Sequence, residues 1–239
     1  MRNIVSLSGG KDSTALLHLM LEHGEDISAV IWCDMGDWEF PEIAEHIALV
    51  EQNTGLKITR VRPTHGMNYW MYDRKVIART GEMKGEVWRL GNGWPSPLRR
   101  WCTRQKIQAI NMALKNLDGT MCIGIAADET KRRLLPDRRY PLIEYGYTEA
   151  MCLKYCNSLG YHWGGLYDIF TRVSCWCCPL SSISDLRKLR KYRPELWNRL
   201  MEMDMRQHRH NPGFKDNRSV IDFEMRFRNE DGVKIEVRA

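Results

Sequence analysis

The chain has 239 residues, 43% of them hydrophobic and 28% charged, with a net charge of +6 from 36 basic and 30 acidic side chains. That length admits one large α/β domain, or one with a small appendage, and the balance excludes a disordered or fibrous chain. No apolar run is long enough to span a bilayer and the N-terminus enters a strand-like run without a signal peptide, so a cytoplasmic chain with no membrane partner is expected.

The first strand-like run is residues 3–7, Asn3-Ile4-Val5-Ser6-Leu7. A helical pattern follows over 13–23, with Ala15, Leu16, Leu19 and Met20 on one face and Gly24 as a stop. Between them stands SGGKDS, residues 8–13. A strand-to-helix turn is where backbone amides and a helix N-terminus hold an anion. Gly9 and Gly10 permit positive φ and close backbone approach, Ser8 and Ser13 add hydroxyls, Lys11 offsets phosphate charge, and Asp12 is placed to hold Mg²⁺ or orient the loop. Adjacent glycines and an acid after the lysine set this turn apart from the G-x-x-x-x-G-K-[ST] phosphate loop.

Further strand-like runs at 27–33, 57–62 and 120–126 alternate with helical patterns at 41–53 and 103–117. This alternation predicts an α/β fold: an open parallel sheet with helices on both faces. Residues 64–100 break the rhythm with NYWMY at 68–72, Trp88, and the loop GNGWPSP at 91–97. A long aromatic segment of this kind reads as a lid, a substrate contact or a packing element. From Thr148, an N-cap followed by Glu149, the pattern is helical, with further starts at Ser182 and at Pro194-Glu195. Ile221, Phe223, Met225 and Phe227 alternate in a way that suits a short strand. The expected division is a nucleotide-binding core at 1–147, carrying the 64–100 insertion, and a helical, cysteine-rich C-terminal part at 148–239.

SGGKDS resembles the PP-loop of the N-type ATP pyrophosphatase superfamily, usually written SGGxDS. Three further runs resemble the phosphoadenosine phosphosulfate (PAPS) reductase family within it. They are CDMGDWEFPE at 33–42, RWCTRQK at 100–106 and GIAADETKRR at 124–133. The resemblance implies an adenine nucleotide alpha hydrolase-like fold and splitting of ATP between its α- and β-phosphates. Lys11 and Asp12 would be catalytic. The nucleotide would be held by Ser8, Gly9, Gly10, Lys11, Asp12, Ser13, Asp34, Asp128, Glu129, Arg132 and Arg133, with Lys131 beside them. Mg²⁺ would offset charge on the leaving pyrophosphate.

Eight cysteines, at 33, 102, 122, 152, 156, 175, 177 and 178, complete the inventory. Cys33 and Cys122 lie in apolar runs and read as buried hydrophobes. Cys175-x-x-Cys178 before Pro179 has metal-knuckle spacing, and Cys152 and Cys156 share a helix face. The expected site is a tetrathiolate of Cys102, Cys156, Cys175 and Cys178, with Cys152 and Cys177 in reserve. Four thiolates suit zinc or an iron–sulfur cluster, and the family resemblance favours a four-iron cluster. Cys177 is also a candidate sulfur carrier.

Two departures from the family bear on the activity. No cysteine follows Cys178, whereas sulfonucleotide reductases carry their nucleophile on a C-terminal tail, and their loop is degenerate where SGGKDS is intact. Both favour ATP as ligand and adenylylation of an acceptor, in sulfur transfer from a sulfur donor or in modification of tRNA or DNA. The aromatic segment 64–100 and the basic run RKLRKYR at 187–193 are the candidate nucleic-acid contacts. Two alternatives stand beside this reading: genuine reduction of PAPS or adenylyl sulfate by a cysteine of the 175–178 group, and a nucleotide-sensing regulator without turnover.

Overall fold

The first strand, β1 (Asn3–Leu7), has Ile4 and Val5 at 1% and 0% exposure. Successive strand side chains point to opposite faces, so both faces of β1 are covered, as a parallel sheet requires. The computed structural model describes residues 2–232 except 174, 209 and 212. The chain continues through α1 (Lys11–Glu22), β2 (Ile27–Cys33), α2 (Pro41–Thr54) and β3 (Ile58–Val61). Then come a hairpin, β4 (Lys75–Ile77) and β5 (Val87–Leu90), and α3 (Trp101–Leu114). The elements β6 (Thr120–Ile123), β7 (Arg138–Arg139), α4 (Pro141–Glu144), α5 (Glu149–Ser158) and α6 (Leu166–Ile169) follow. Three helices, α7 (Ile183–Tyr192), α8 (Pro194–Met205) and α9 (Val220–Glu230), close the described chain.

The chain divides into two compact units, residues 1–64 with 105–175, and residues 65–104 with 176–239. The first holds a five-stranded sheet in the order β3-β2-β1-β6-β7, every neighbouring pair parallel. Leu16, Leu17 and Met20 of α1 are fully buried. Truncating one of them to alanine removes about 2–5 kcal/mol of stability. The helix α2 starts with Pro41 at its first position, where a missing N–H costs nothing, and stops at Gly55 with φ 67°.

The division differs from the boundary expected at 147. Helix α5 packs on α1, its Cys156 Sγ donating to the Lys11 carbonyl at 3.4 Å, so residues 148–175 complete the first unit. Residues 65–104 belong with the C-terminal helices: Tyr72 donates to the Met203 carbonyl at 3.1 Å and Trp94 Nε1 to Asp204 at 2.7 Å. Trp94 meets Phe214 edge-on at 4.9 Å, and Phe223 and Phe227 are buried beside it in the same unit.

The strand suggested by the alternation at 221–227 is instead the helix α9. A capping box sets its start, Ser219 Oγ accepting from Asp222 N while the Asp222 carboxylate accepts from Ser219 N. Val220, Phe223 and Phe227 are buried, whereas Ile221 and Met225 are 42% and 49% exposed. The 3.6-residue period gathers Val220, Phe223 and Phe227 on one buried stripe and turns Ile221 and Met225 outward, where a strand would have placed both with the rings. No helix of the described residues is long and apolar enough to cross a membrane.

Candidate functional site

The turn at 8–13 closes on itself through its serines. Ser8 N donates to Ser13 Oγ at 3.0 Å, the two hydroxyls lie 3.0 Å apart, and Ser13 Oγ donates to the Gly10 carbonyl at 3.0 Å. Gly9 has φ +80°, and a Cβ there would lie 2.7 Å from Ile43 Cγ2, so only glycine fits without moving α2. Trp163 Nε1 donates to the Gly9 carbonyl at 2.7 Å. Helix α1 then starts at Lys11 with Gly10 as an N-cap that supplies no side-chain acceptor. The first amides of a helix are left without intrahelical partners, and here the Lys11 amide donates to the Tyr167 hydroxyl at 2.9 Å.

Strand β6 ends at Ile123, three residues before the expected limit, and Gly124 runs directly under the turn. A Cβ at Gly124 would stand 2.9 Å from Ser13 N and 3.0 Å from Asp12 C. The strand order reverses at this place: the chain moves from β1 to β2 and β3 on one side, and β6 and β7 lie on the other. Open α/β sheets bind ligands outside the carboxyl ends of the strands at such a reversal.

A cleft of about 460 Å³ opens there, walled by Ser8, Gly10, Lys11 and Asp12 of the turn and by Gly124, Glu129 and Arg132 beyond β6. Glu39, Lys106, Glu149, Tyr167, Arg172 and Cys175 also line it, with Thr171 and Val173. Lys11 Nζ donates to Asp12 at 2.9 Å and to Glu149 at 2.7 Å. Burial works against the ammonium, but these two carboxylates outweigh it and hold Lys11 above the ordinary lysine range. Burial raises the Asp12 carboxyl, and Lys11 only partly offsets it. Lys106 lies 3.5 Å from Glu39, and an isolated bridge sets Glu39 opposite Cys175. Burial opposes the Lys106 charge and Glu39 restores it, leaving that pKa raised.

Asp34, Asp128 and Arg133 are not among the residues lining this cleft. Asp34 lies just past β2, 8% exposed, accepting from Gly36 N at 2.7 Å and from Arg62 at 2.6 Å. Asp128 accepts the Glu149 amide at 3.0 Å, which ties the start of α5 to the loop after β6. Arg133 is exposed and outside the cleft lining, whereas Arg132 lines it, 3.8 Å from Glu129. Glu149 and Tyr167 were not expected at the site. Glu149 carries only the signal of a first-turn helix acid, and Tyr167 carries none. Glu39 and Lys106 do lie inside the runs 33–42 and 100–106.

The four cysteines expected as a tetrathiolate divide between the units, Cys156 and Cys175 in the first and Cys102 and Cys178 in the second. Among the described residues no group of three or more His, Cys, Asp or Glu side chains is placed to hold a metal ion. Cys156 is fully buried with its thiol on the Lys11 carbonyl, and burial raises its pKa. The neighbouring Cys152 is pushed up to about 12, again by burial. Cys175 belongs to the first unit. In the second unit Cys102 is raised by burial and then by the Cys178 thiolate, so these two sulfurs lie within each other's field.

A glycine-rich strand-to-helix turn at the reversal point of a parallel sheet is the layout of nucleotide-binding α/β proteins. The chain belongs to the phosphoadenosine phosphosulfate reductase domain family, whose profile matches residues 2–181. Membership implies binding of an adenine nucleotide. The chain is also similar to two proteins of Methanocaldococcus jannaschii. One, "Uncharacterized protein MJ0066", is 26% identical over 219 aligned positions, covering 82% of this chain and 40% of the relative. The other, "Uncharacterized protein MJ0973", is 24% identical over 213 positions, covering 83% and 46%. The chain thus spans less than half the length of either relative.

Proposed function

We propose that this chain is an ATP pyrophosphatase of the PAPS reductase family that adenylylates an acceptor, in sulfur transfer or in modification of tRNA or DNA. One observation carries the reading: an intact SGGKDS turn faces a cleft that also holds Lys11, Arg132 and Arg172. The N-terminus of α1 and the cations beside it suit a β,γ-diphosphate. An acceptor oxygen attacks the α-phosphorus, the bond to the β-phosphate breaks, and pyrophosphate leaves. Lys11, held charged by Asp12 and Glu149, opposes the negative charge that grows on the leaving group. Magnesium would enter with the triphosphate, bound by phosphate oxygens and one carboxylate of the Asp12, Glu129 and Glu149 set. Incubation with ATP, Mg²⁺ and candidate tRNA or DNA tests the reading. Pyrophosphate released with AMP transferred to the acceptor supports it, and release of inorganic phosphate with ADP overturns it.

A four-iron cluster, or zinc in its place, stays within the proposal on sequence alone. Its support is the density of Cys175, Cys177 and Cys178 and the setting of Cys102 in RWCTRQK. No step of the reaction is routed through it. Metal and sulfide analysis of anaerobically purified protein tests it: iron with acid-labile sulfide supports the cluster, stoichiometric zinc supports zinc, and metal-free protein removes both.

A second reading has one specific observation in its favour, the place of Cys175 in the cleft wall. In sulfonucleotide reduction its thiolate would attack the sulfur of PAPS or adenylyl sulfate. A sulfur–sulfur bond forms, the sulfur–oxygen bond to the nucleotide breaks, and a cysteine S-sulfonate remains for a thiol reductant. Preferential binding of PAPS over ATP, with a mass increase on Cys175, would favour this reading.

A further inference from the structure

The second unit carries a cleft of about 1010 Å³ that the proposed chemistry does not use. It is built on the hairpin β4–β5, whose strands pair antiparallel with a register shift between Val76 and Ile77. Its volume stands at the upper limit of small-molecule pockets, about 300–1,000 Å³, which suits a segment of a polymer better than one metabolite.

Its lining is basic. Arg74, Lys75, Arg79 and Arg99 face Glu82 as the one carboxylate of the wall. Among the described residues the side chains of Lys75, Arg79 and Arg99 have no salt bridge. The other basic runs are differently placed. On α7, Arg187 is paired with Glu230 at 2.6 Å and Arg190 with Glu224 at 2.8 Å. In the first unit, Arg139 bonds Glu25 and Glu144. Uncompensated cations are therefore gathered at the hairpin.

The lining is also apolar where a soluble surface has little reason to be. Ile77, Met83 and Trp88 are 47%, 49% and 44% exposed. Arg89 is buried behind the ribbon with its guanidinium 5.0 Å from the Trp88 ring, so one ring is held by a cation while nearly half of the residue stays open. Arg74 lies 5.5 Å from the Trp70 ring and donates to Asn92 at 2.8 Å, which fixes a second cation at the wall. The His210 ring also lies near-parallel to Trp88 at 6.1 Å, and the tryptophan still keeps 44% of its surface exposed. Cations beside a half-exposed aromatic ring match a chain of phosphates with unstacked bases. A duplex keeps its bases stacked inside and offers no face to Trp88, and an acidic peptide offers charge without the planar partner.

We propose that the β4–β5 cleft binds single-stranded nucleic acid, with Trp88 stacking on a base and Arg74, Lys75, Arg79 and Arg99 holding the phosphates. This deepens the acceptor half of the reading above and rests on it only for the strand's role as acceptor. Binding is therefore measured without ATP, separately from pyrophosphate release.

The probes are fluorescein-labelled oligothymidylate and oligouridylate of about 20 nucleotides, and a duplex of the same length, read by anisotropy. Single strands should bind more tightly than duplex. Log K should fall with log salt at a slope of about −3, four phosphate contacts at ~0.7 each. Trp88→Ala should weaken binding roughly 5- to 100-fold, the loss of one base stack, while Trp88→Phe, which keeps a ring, stays within about 3-fold. Lys75→Glu with Arg79→Glu should halve the slope, and Arg187→Gln should leave it unchanged. All these side chains are exposed to solvent on the ribbon or α7, and thermal melting of each variant reports folding. Equal or tighter binding of duplex, binding unaffected by Trp88→Ala, capture of polyglutamate as tightly as of the strands, or no binding at all would overturn the proposal. Strand binding without pyrophosphate release would keep the cleft and remove the adenylylation reading.

Discussion

The Tyr167 hydroxyl accepts the Lys11 backbone amide at 2.9 Å, at the point where the first turn of α1 would meet a phosphate oxygen. Hydroxyl and phosphate compete for one donor. Burial pushes the Tyr167 pKa up to about 12, so the hydroxyl stays neutral and yields to a charged acceptor. Tyr167→Phe should tighten ATP binding by about 2- to 10-fold, the value of one neutral hydrogen bond, with a small loss of melting temperature. Calorimetric titration checks it, and weaker binding would mean that the hydroxyl serves the nucleotide.

Lys11 sits between two carboxylates, and its removal acts on both stability and chemistry. Lys11→Met should lower pyrophosphate release by about 10²–10³-fold, the usual effect of deleting one donor to a developing charge. It also strands Asp12 and Glu149 beside each other, so the variant should melt lower. Adding Glu149→Gln should recover part of the melting temperature and none of the rate.

Gly124 tests the close passage of β6 beneath the turn. A methyl group there meets backbone at 2.9 Å, which a rotamer change cannot relieve. Gly124→Ala should cost about 1–3 kcal/mol in chemical denaturation and weaken ATP binding by opening the turn. A variant as stable as the parent, with unaltered affinity, would show that the strand and the turn are not in contact.

The His46 ring accepts from or donates to Thr14 Oγ1 at 2.8 Å and stacks on Trp163 at 4.3 Å. Burial, with some help from His18, lowers its pKa from 6.5 to about 3. Below pH 6.5 the unfolded chain takes up a proton that the folded chain refuses, so stability falls as pH drops from 6.5 towards 3. The slope for this one group approaches 1.4 kcal/mol per pH unit. Denaturation at stepped pH should show a shallower decline in His46→Gln than in the parent, and parallel declines would refute the assignment.

The sheet and its glycine-rich turn were legible because their signals are contiguous: an apolar run, two glycines, a lysine and a helical stripe in the first 23 residues. Glu149 and Tyr167 were not, since each reaches the turn only through the packing of α5 and α6 on α1, more than 130 residues away in the chain. The helix α9 was misread because alternation at 221–227 also satisfies a helical stripe when Val220 is counted, and local sequence does not say which face will be covered. The cysteines show the reverse case. A dense motif was plain, while the partners of Cys102 and Cys156 depend on which unit each joins.

The interleaving of the two units fixes an order of assembly on the ribosome. Strand β1, central in the sheet, gains its second neighbour only after residue 123 has been made, and segment 65–104 waits still longer for the helices beyond 176 that complete its unit. During synthesis the exposed rings of the hairpin region precede their own support. Chaperone dependence at that stage, and poor solubility of chains truncated near residue 180, follow from the connectivity alone.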